Sequence, residues 1–298
     1  MPPVIPAGPL RIVTFNNMPF AYQSVSAWIT ANGHEHVAVV TTPGPKARRS
    51  EAYREIVALA PPTQDVIVTT QPKRLLGHLR ALQPDLILSY TFPYRLPMEL
   101  LEIPRYGSVN VHPTLLPAYR GPNPLRPLYD GAPVFGATVH RMDAQFDTGP
   151  ILGQFSIPVP EDITPAMVGQ SLFQVSAGAL AEGMAAFMAG EAGRAQDETQ
   201  ASYAAPFGAA DELLSWEIPA QLMIRRIVAL QIFGHTPRIR LDGAEWVLRQ
   251  ANRVAQSTVL APGTVLTRTD SSVHVAVADG VVSVILAPYE ASAQEHHR

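Results

Sequence analysis

The sequence predicts an α/β protein: a mostly parallel, doubly wound sheet followed by a smaller β-rich region. Three observations predict it. Short apolar runs alternate with stretches of helical spacing from Leu10 to Val111. A long amphipathic pattern, Pro165 to Met188, follows. Beyond a polar, glycine-bearing stretch, Gly190 to Gln200, the chain turns to short β-rich pieces.

The elements read in order. Leu10 to Phe15 is a strand, and Phe20 to Thr30 a helix stopped by Gly33. Val37 to Val40 is the next strand, and Ser50 to Leu59 a helix with Ser50 as its N-cap. Val66 to Val68 precedes a helix over Pro72 to Leu82. Asp85 to Ser89 and the Val109 to Val111 segment are further strands, and Pro113 to Pro127 is a proline-punctuated loop. Phe135 to Arg141 and Ile151 to Val159 read as two strands. Thr164-Pro165 fits a cap with Pro at the first helical position. Ile218 to Phe233 reads as a helix. Val247-Leu248, Gly263 to Leu266, Val273 to Val277 and Val281 to Leu286 read as strands, with Asp279-Gly280 as a hairpin turn. The expected organisation is a loose extension over 1–9, a catalytic domain over 10–190, a linker over 191–205 and a C-terminal domain over 206–298.

Composition bounds the function. Of the 298 residues, 47% are hydrophobic and 16% charged, so a sizeable core is available. There is no cysteine, which excludes disulfides, thiolate nucleophiles and cysteine-ligated metals. That composition is compatible with the cytoplasm. No apolar run approaches the ~18–20 residues of a membrane span. A net charge of −3 supplies no global pull on a polyanion.

The chemistry concentrates at Gly107 to Pro113. Asn110 and His112 are two apart on a strand, so both side chains share a face, and Val109 and Val111 take the other. A strand ending in converging polar groups before a Gly/Pro-rich loop is how an open α/β sheet presents a site at its carboxyl edge. Asp147, in the loop Met142 to Gly149, is a carboxylate able to orient an imidazole. His34-Glu35-His36 looks like a metal pair but has no third ligand nearby in sequence, so a solvated turn is the simpler reading. Asn16-Asn17 stands where a dinucleotide fold carries its glycines, and no Gly-Lys-Ser/Thr phosphate loop occurs.

Together these segments resemble the family of formyltransferases that use 10-formyltetrahydrofolate. The family pattern is Asn-x-His, a Leu-Leu-Pro-x-x-x-Gly loop, and later Asp-x-Gly-x-Asp-x-Gly. Here the loop is Leu115-Leu116-Pro117-Ala118-Tyr119-Arg120-Gly121, and the last segment is Asp143-Ala144-Gln145-Phe146-Asp147-Thr148-Gly149. The resemblance runs from Arg11 to about Leu286 and is nearest the methionyl-tRNA formyltransferases. It implies a Rossmann-like catalytic domain and an OB-like C-terminal domain. It also implies a catalytic set of Asn110, His112 and Asp147 and no metal; in elementary chemistry Asn110 and a protonated His112 can donate to the developing oxyanion, and His112, Asp147 or a water between them takes the amine proton. A folate pocket follows from it at Phe92, Tyr94, Leu96, Met142, Asp143, Ala144 and Gln145. An acceptor side follows at Asn16, Met18, Phe20 and Arg120.

Two departures bear on the acceptor. The family's Gly-Thr-Pro-x-Phe-Ala turn is Asn16-Asn17-Met18-Pro19-Phe20-Ala21 here, and the first glycine of the Asp pattern is missing from Ala144-Gln145. The loop Thr41 to Ser50 is short, with Lys46, Arg48 and Arg49 as its basic run. Pro206 to Arg298 holds eight arginines against nine acidic residues, not the basic face of a tRNA-gripping domain. The expectation is N-formylation of a small-molecule or carrier-bound amine. Initiator methionyl-tRNA is the alternative. A 10-formyltetrahydrofolate hydrolase and a non-catalytic folate-binding protein are the rivals.

Overall fold

A computed structural model describes residues 5, 8–45 and 50–290. The basic run Lys46, Arg48 and Arg49 and most of the terminal extension lie outside the described residues. The chain divides into two compact units: residues 1–124, 134–157 and 170–204, and residues 125–133, 158–169 and 205–298.

In chain order the elements of the first part are β1 (Arg11–Asn16), α1 (Pro19–Ala31), β2 (Glu35–Thr41), α2 (Ala52–Leu59), β3 (Asp65–Val68), α3 (Leu76–Leu82), β4 (Leu86–Tyr90), α4 (Met98–Leu101), β5 (Ser108–His112), α5 (Arg126–Asp130), β6 (Val134–Arg141), β7 (Ile151–Pro158) and α6 (Pro165–Met188). The sheet runs β3-β2-β1-β4-β5-β6-β7. Strands β1 to β5 pair in parallel, and β6 joins β5 antiparallel. Central parallel strands are buried on both faces, so they read as unbroken apolar runs. Ile12, Val13, Phe15 and Leu86 to Leu88 are all fully buried. The chain leaves β1 towards β2 and β3, then crosses back to β4, so the order reverses between β1 and β4.

Helix α6 approaches the sheet through glycines. A Cβ on Gly183 would run into Val139, and one on Gly153 would meet the Gly183 backbone. The start of β7 and the C-terminal part of α6 therefore pack backbone against backbone.

Local expectations needed correcting where tertiary contacts intervene. Ser50 lies one residue outside the cap, which is Glu51, although its Oγ still accepts from the Ala52 N–H at 3.1 Å. The helix expected over Pro72 to Leu82 opens with a 3-10 turn, Pro72–Leu75, before α3. The loop expected over Pro113 to Pro127 ends early, at the start of α5.

The second unit holds α5 together with α7 (Ala209–Glu212), α8 (Ala220–Ile232), β8 (Arg238–Leu241), β9 (Ala244–Val254), β10 (Val265–Arg268), β11 (Val273–Val277) and β12 (Gly280–Pro288). Its strands form a separate antiparallel sheet, β10-β11-β12-β9-β8. Helix α8 buries Met223, Ile227 and Leu230 and packs on β9. The turn between β11 and β12 is Ala278-Asp279, with Gly280 already paired to Val277. A second hairpin, unforeseen, uses Asp242-Gly243, both at positive φ, between β8 and β9.

Candidate active site

Strand β5 alternates as its sequence dictates: Val109 and Val111 are buried in the apolar layer, and Asn110 and His112 face the other way. The partner on one side is β4, with Ser89 opposite Asn110. On the other side β6 places His140 opposite Asn110 and Thr138 opposite His112. The loop after β6 carries Asp147 back to this edge.

The three expected residues converge. Asp147 Oδ1 lies 3.5 Å from His112 Nδ1 and 3.6 Å from His140 Nε2. The Asp147 side chain and both rings are almost wholly buried. His112 Nε2 is 3.0 Å from the Tyr119 carbonyl, and a carbonyl only accepts, so Nε2 carries a proton in that contact. His140 Nδ1 donates likewise to the Arg141 carbonyl at 2.9 Å. In the neutral ring His140 Nε2 then accepts from Asn110 Nδ2 at 3.2 Å. One N–H of the Asn110 amide is committed to His140, and the other is left to donate elsewhere.

Asp147 holds φ +59, in the left-handed region. Asp tolerates that region better than most residues. Its Oδ2 accepts from the Gly121 N–H at 2.9 Å, and its carbonyl accepts from Gln196 Nε2 at 2.8 Å.

Charge follows from burial and these partners. Burial would raise the Asp147 pKa. The His112 charge, the His140 hydrogen bond and charge, and the Gly121 N–H outweigh it and hold the carboxyl at about 2. His112 is pulled below 6.5, first by burial. Asp147 and the Tyr119 carbonyl oppose that pull without reversing it. Burial thus works against the expected protonated form of His112, and with Nε2 donating to Tyr119 it is Nδ1 that faces Asp147.

The other expected residues divide. Phe92 meets Phe15 edge to face at 5.1 Å between centroids and Tyr94 at 5.8 Å. Leu96 is fully enclosed in the core with Leu100 and Leu101, and Phe92 and Met142 pack against that cluster. A ligand at Leu96 therefore meets backbone, not the side chain. Asp143 Oδ1 accepts from the Gln145 N–H at 3.0 Å and the Thr148 hydroxyl at 2.7 Å. Asp143, Ala144, Gln145, Thr148 and Glu198 line an open cavity of about 400 Å³.

On the acceptor side, Met18 and Phe20 are exposed, and Phe20 stands edge-on to Tyr90 at 5.7 Å. Asn16 is fully buried at the strand-order reversal. Its Nδ2 donates to the Tyr90 carbonyl at 3.1 Å, and its Oδ1 has no partner. Arg120 donates to Gln196 and, bidentately, to Glu198. Neither His140 nor Gln196 is singled out by the sequence analysis. The His140 signal was its period-two spacing from Thr138. The antiparallel pairing that sets it beside Asn110 is not written locally.

Residues 10–182 match the family model described as formyl transferase. The chain is 35% identical over 233 residues to the methionyl-tRNA formyltransferase of Moorella thermoacetica, covering 74% of this chain and 73% of that one. It is 30% identical over 267 residues to that of Herpetosiphon aurantiacus, covering 86% and 85%. Among solved structures it resembles the Helicobacter canadensis N-formyltransferase crystallised with folinic acid and dTDP-3-aminofucose. The TM-score is 0.67 at 14% identity, over 93% of this chain and 98% of that one. It also resembles HypX of Aquifex aeolicus in complex with tetrahydrofolic acid, with a TM-score of 0.62 at 18% identity, over 93% of this chain and 44% of that one. At those identities the likeness speaks for the fold. With the family model and the sequence relatives it leads to one conclusion: the chain belongs to the formyl transferase family and is a folate-dependent formyltransferase.

Proposed function

We propose that the enzyme moves the formyl group of 10-formyltetrahydrofolate onto the primary amine of a small-molecule or carrier-bound acceptor, with Asn110, His112 and Asp147 as the catalytic set. The observation that carries this reading is the convergence of those residues at the carboxyl edge of the sheet. The amine nitrogen attacks the formyl carbon, and the carbonyl oxygen becomes an oxyanion. The free Asn110 N–H donates to it. Neutral His112 takes up at Nδ1, the nitrogen not bonded to Tyr119, the proton the amine sheds, and ionised Asp147 beside it stabilises the resulting imidazolium. Collapse of the intermediate breaks the bond to N10 of the folate, and His112 returns the proton to that nitrogen. On this reading the pterin lies between the Phe92 to Leu96 segment and the Met142 to Gln145 loop. The acceptor enters beside Met18 and Phe20. The reacting groups named here all lie within residues 10–190.

The small-acceptor reading is supported by the arginines of the second unit, most of which are already engaged. Arg225 donates to the Gly131 and Ala132 carbonyls, and Arg226 to Tyr129. Arg238 pairs with Glu212 and Glu245, Arg253 with Asp279, and Arg268 with Asp242. A phosphate would have to displace these partners. The second reading, initiator methionyl-tRNA as acceptor, is supported by the relatives at 30–35% identity.

The test is a panel of amino sugars, amino acids and charged initiator tRNA, each incubated with purified enzyme and 10-formyltetrahydrofolate. Turnover on a small amine that outpaces the tRNA supports the first reading. Turnover on the charged tRNA alone moves the function to the second. Formate release with no N-formyl product sinks both.

A further inference from the structure

We propose that Gln196 is a positioning residue for the catalytic set, at the centre of a strap formed by residues 194–204. The inference rests on Asp147 and His112 acting as described above. Gly190 to Gln200 has linker-like composition, yet this stretch is bonded into the first unit. Arg194 and Ile151 exchange backbone hydrogen bonds at 2.7 and 2.8 Å. Ser202 N–H donates to the Pro117 carbonyl, Arg120 N–H to the Ser202 carbonyl, and Ala204 N–H to the Arg120 carbonyl. Tyr203 lies where a Cβ on Gly121 would stand, so the strap's ring presses on the loop that holds Asp147.

Gln196 joins the strap to both catalytic loops through one amide. Its Nε2 donates to the carbonyls of Asp147 and Gly149, each at 2.8 Å. Its Oε1 accepts from Arg120 Nε at 3.2 Å and Nη2 at 2.8 Å. Arg120 is anchored again by Glu198 at 2.7 and 2.9 Å. The Asp147 peptide sits at positive φ, a conformation that persists where surrounding bonds over-determine it. Both amide hydrogens of Gln196 serve that purpose. The strap reaches His112 too. The Ser202 hydroxyl accepts from the Tyr119 N–H at 2.9 Å, and the Tyr119 carbonyl accepts from His112 Nε2. Asp147 and His112 thus each take one of their fixing contacts from a loop held by the strap. A carboxylate 3.5 Å from its imidazole is sensitive to small displacements, and a shift near 1 Å in such sites costs on the order of 10²-fold in rate.

Two full-length variants test this. Gln196→Ala removes the clip. Gln196→Glu keeps its size and the contact with Arg120 but has no N–H to donate. Both are expected to lower kcat by about tenfold or more while the folate KM stays within about twofold. Both should move the acid limb of the pH–rate profile to lower pH, because a displaced Asp147 supports the His112 charge less. Wild-type kcat and an unmoved acid limb in the folded Gln196→Glu enzyme overturn the inference. Equal loss in kcat and folate affinity with an unmoved limb also overturns it, since that is general loosening. Asp147→Asn, run alongside, separates the levels: if it keeps normal turnover, the catalytic assignment fails, not the strap.

Discussion

The Asp147 carboxylate is almost wholly buried, with Oδ2 accepting from the Gly121 N–H and Oδ1 facing His112 and His140. Those interactions are worth most when charge develops on His112 during the reaction. Asp147→Asn and His112→Ala are therefore each expected to lower kcat by roughly 100-fold or more, with folate affinity little changed by calorimetry. Asn110→Ala should behave similarly, since it removes the donor aimed at the oxyanion. The pH dependence has a definite sign. As a base His112 must be neutral, and burial draws its pKa down, so the acid limb of the wild-type profile should lie below that of an exposed imidazole. Removing the Asp147 charge takes away an upward influence on that pKa, so the acid limb of Asp147→Asn should move further down. A limb that moves up would contradict the neutral-base role.

At the scale of elements, α1 is seated on β1 and β2 through a buried polar contact. His36 Nε2 meets Thr14 Oγ1 at 2.9 Å and its Nδ1 meets Ser26 Oγ at 3.0 Å, with the Tyr22 ring alongside. Burial lowers the His36 pKa to about 4. The folded value lies below the unfolded 6.5, so the stability this group contributes is complete above pH 6.5. It is lost as pH falls towards 4, by about 3 kcal/mol in all. Thermal melts from pH 7 to 4 should show that loss, and His36→Asn should flatten it. His36 thus belongs to a packed layer and not to a pair with His34, whose Nδ1 faces the Leu10 N–H. The glycine crossing of α6 makes a second demand. Gly183→Val should destabilise by ~1–3 kcal/mol or more in a denaturant titration, because the new Cβ would overlap the Val139 side chain.

For the whole molecule, a net charge of −3 and internally paired arginines predict weak attraction to polyanions. Filter binding with initiator tRNA at physiological salt should give a Kd no tighter than about 10 µM, in the range of non-specific association. Tight, saturable binding that weakens steeply with salt would favour the tRNA reading instead. Among the described residues no helix is long and apolar enough to cross a membrane.

Much of this was legible in the sequence because it depends on neighbours along the chain. Period-two alternation put Asn110 and His112 on one face of β5, and the continuous apolar runs of β1 and β4 announced buried parallel strands. Motif spacing joined Asp147 to them across a span that no local rule covers. What the chain alone left undecided depends on elements distant in sequence. The antiparallel docking of β6 sets His140 against Asn110, and the folding back of residues 194–204 brings Gln196 to Asp147. The charge state of His112 belongs to the same class. The family resemblance implies that a carboxylate comes near. Whether burial outweighs that carboxylate depends on how completely β5, β6 and the Tyr119 loop enclose the ring, and only the tertiary structure decided that.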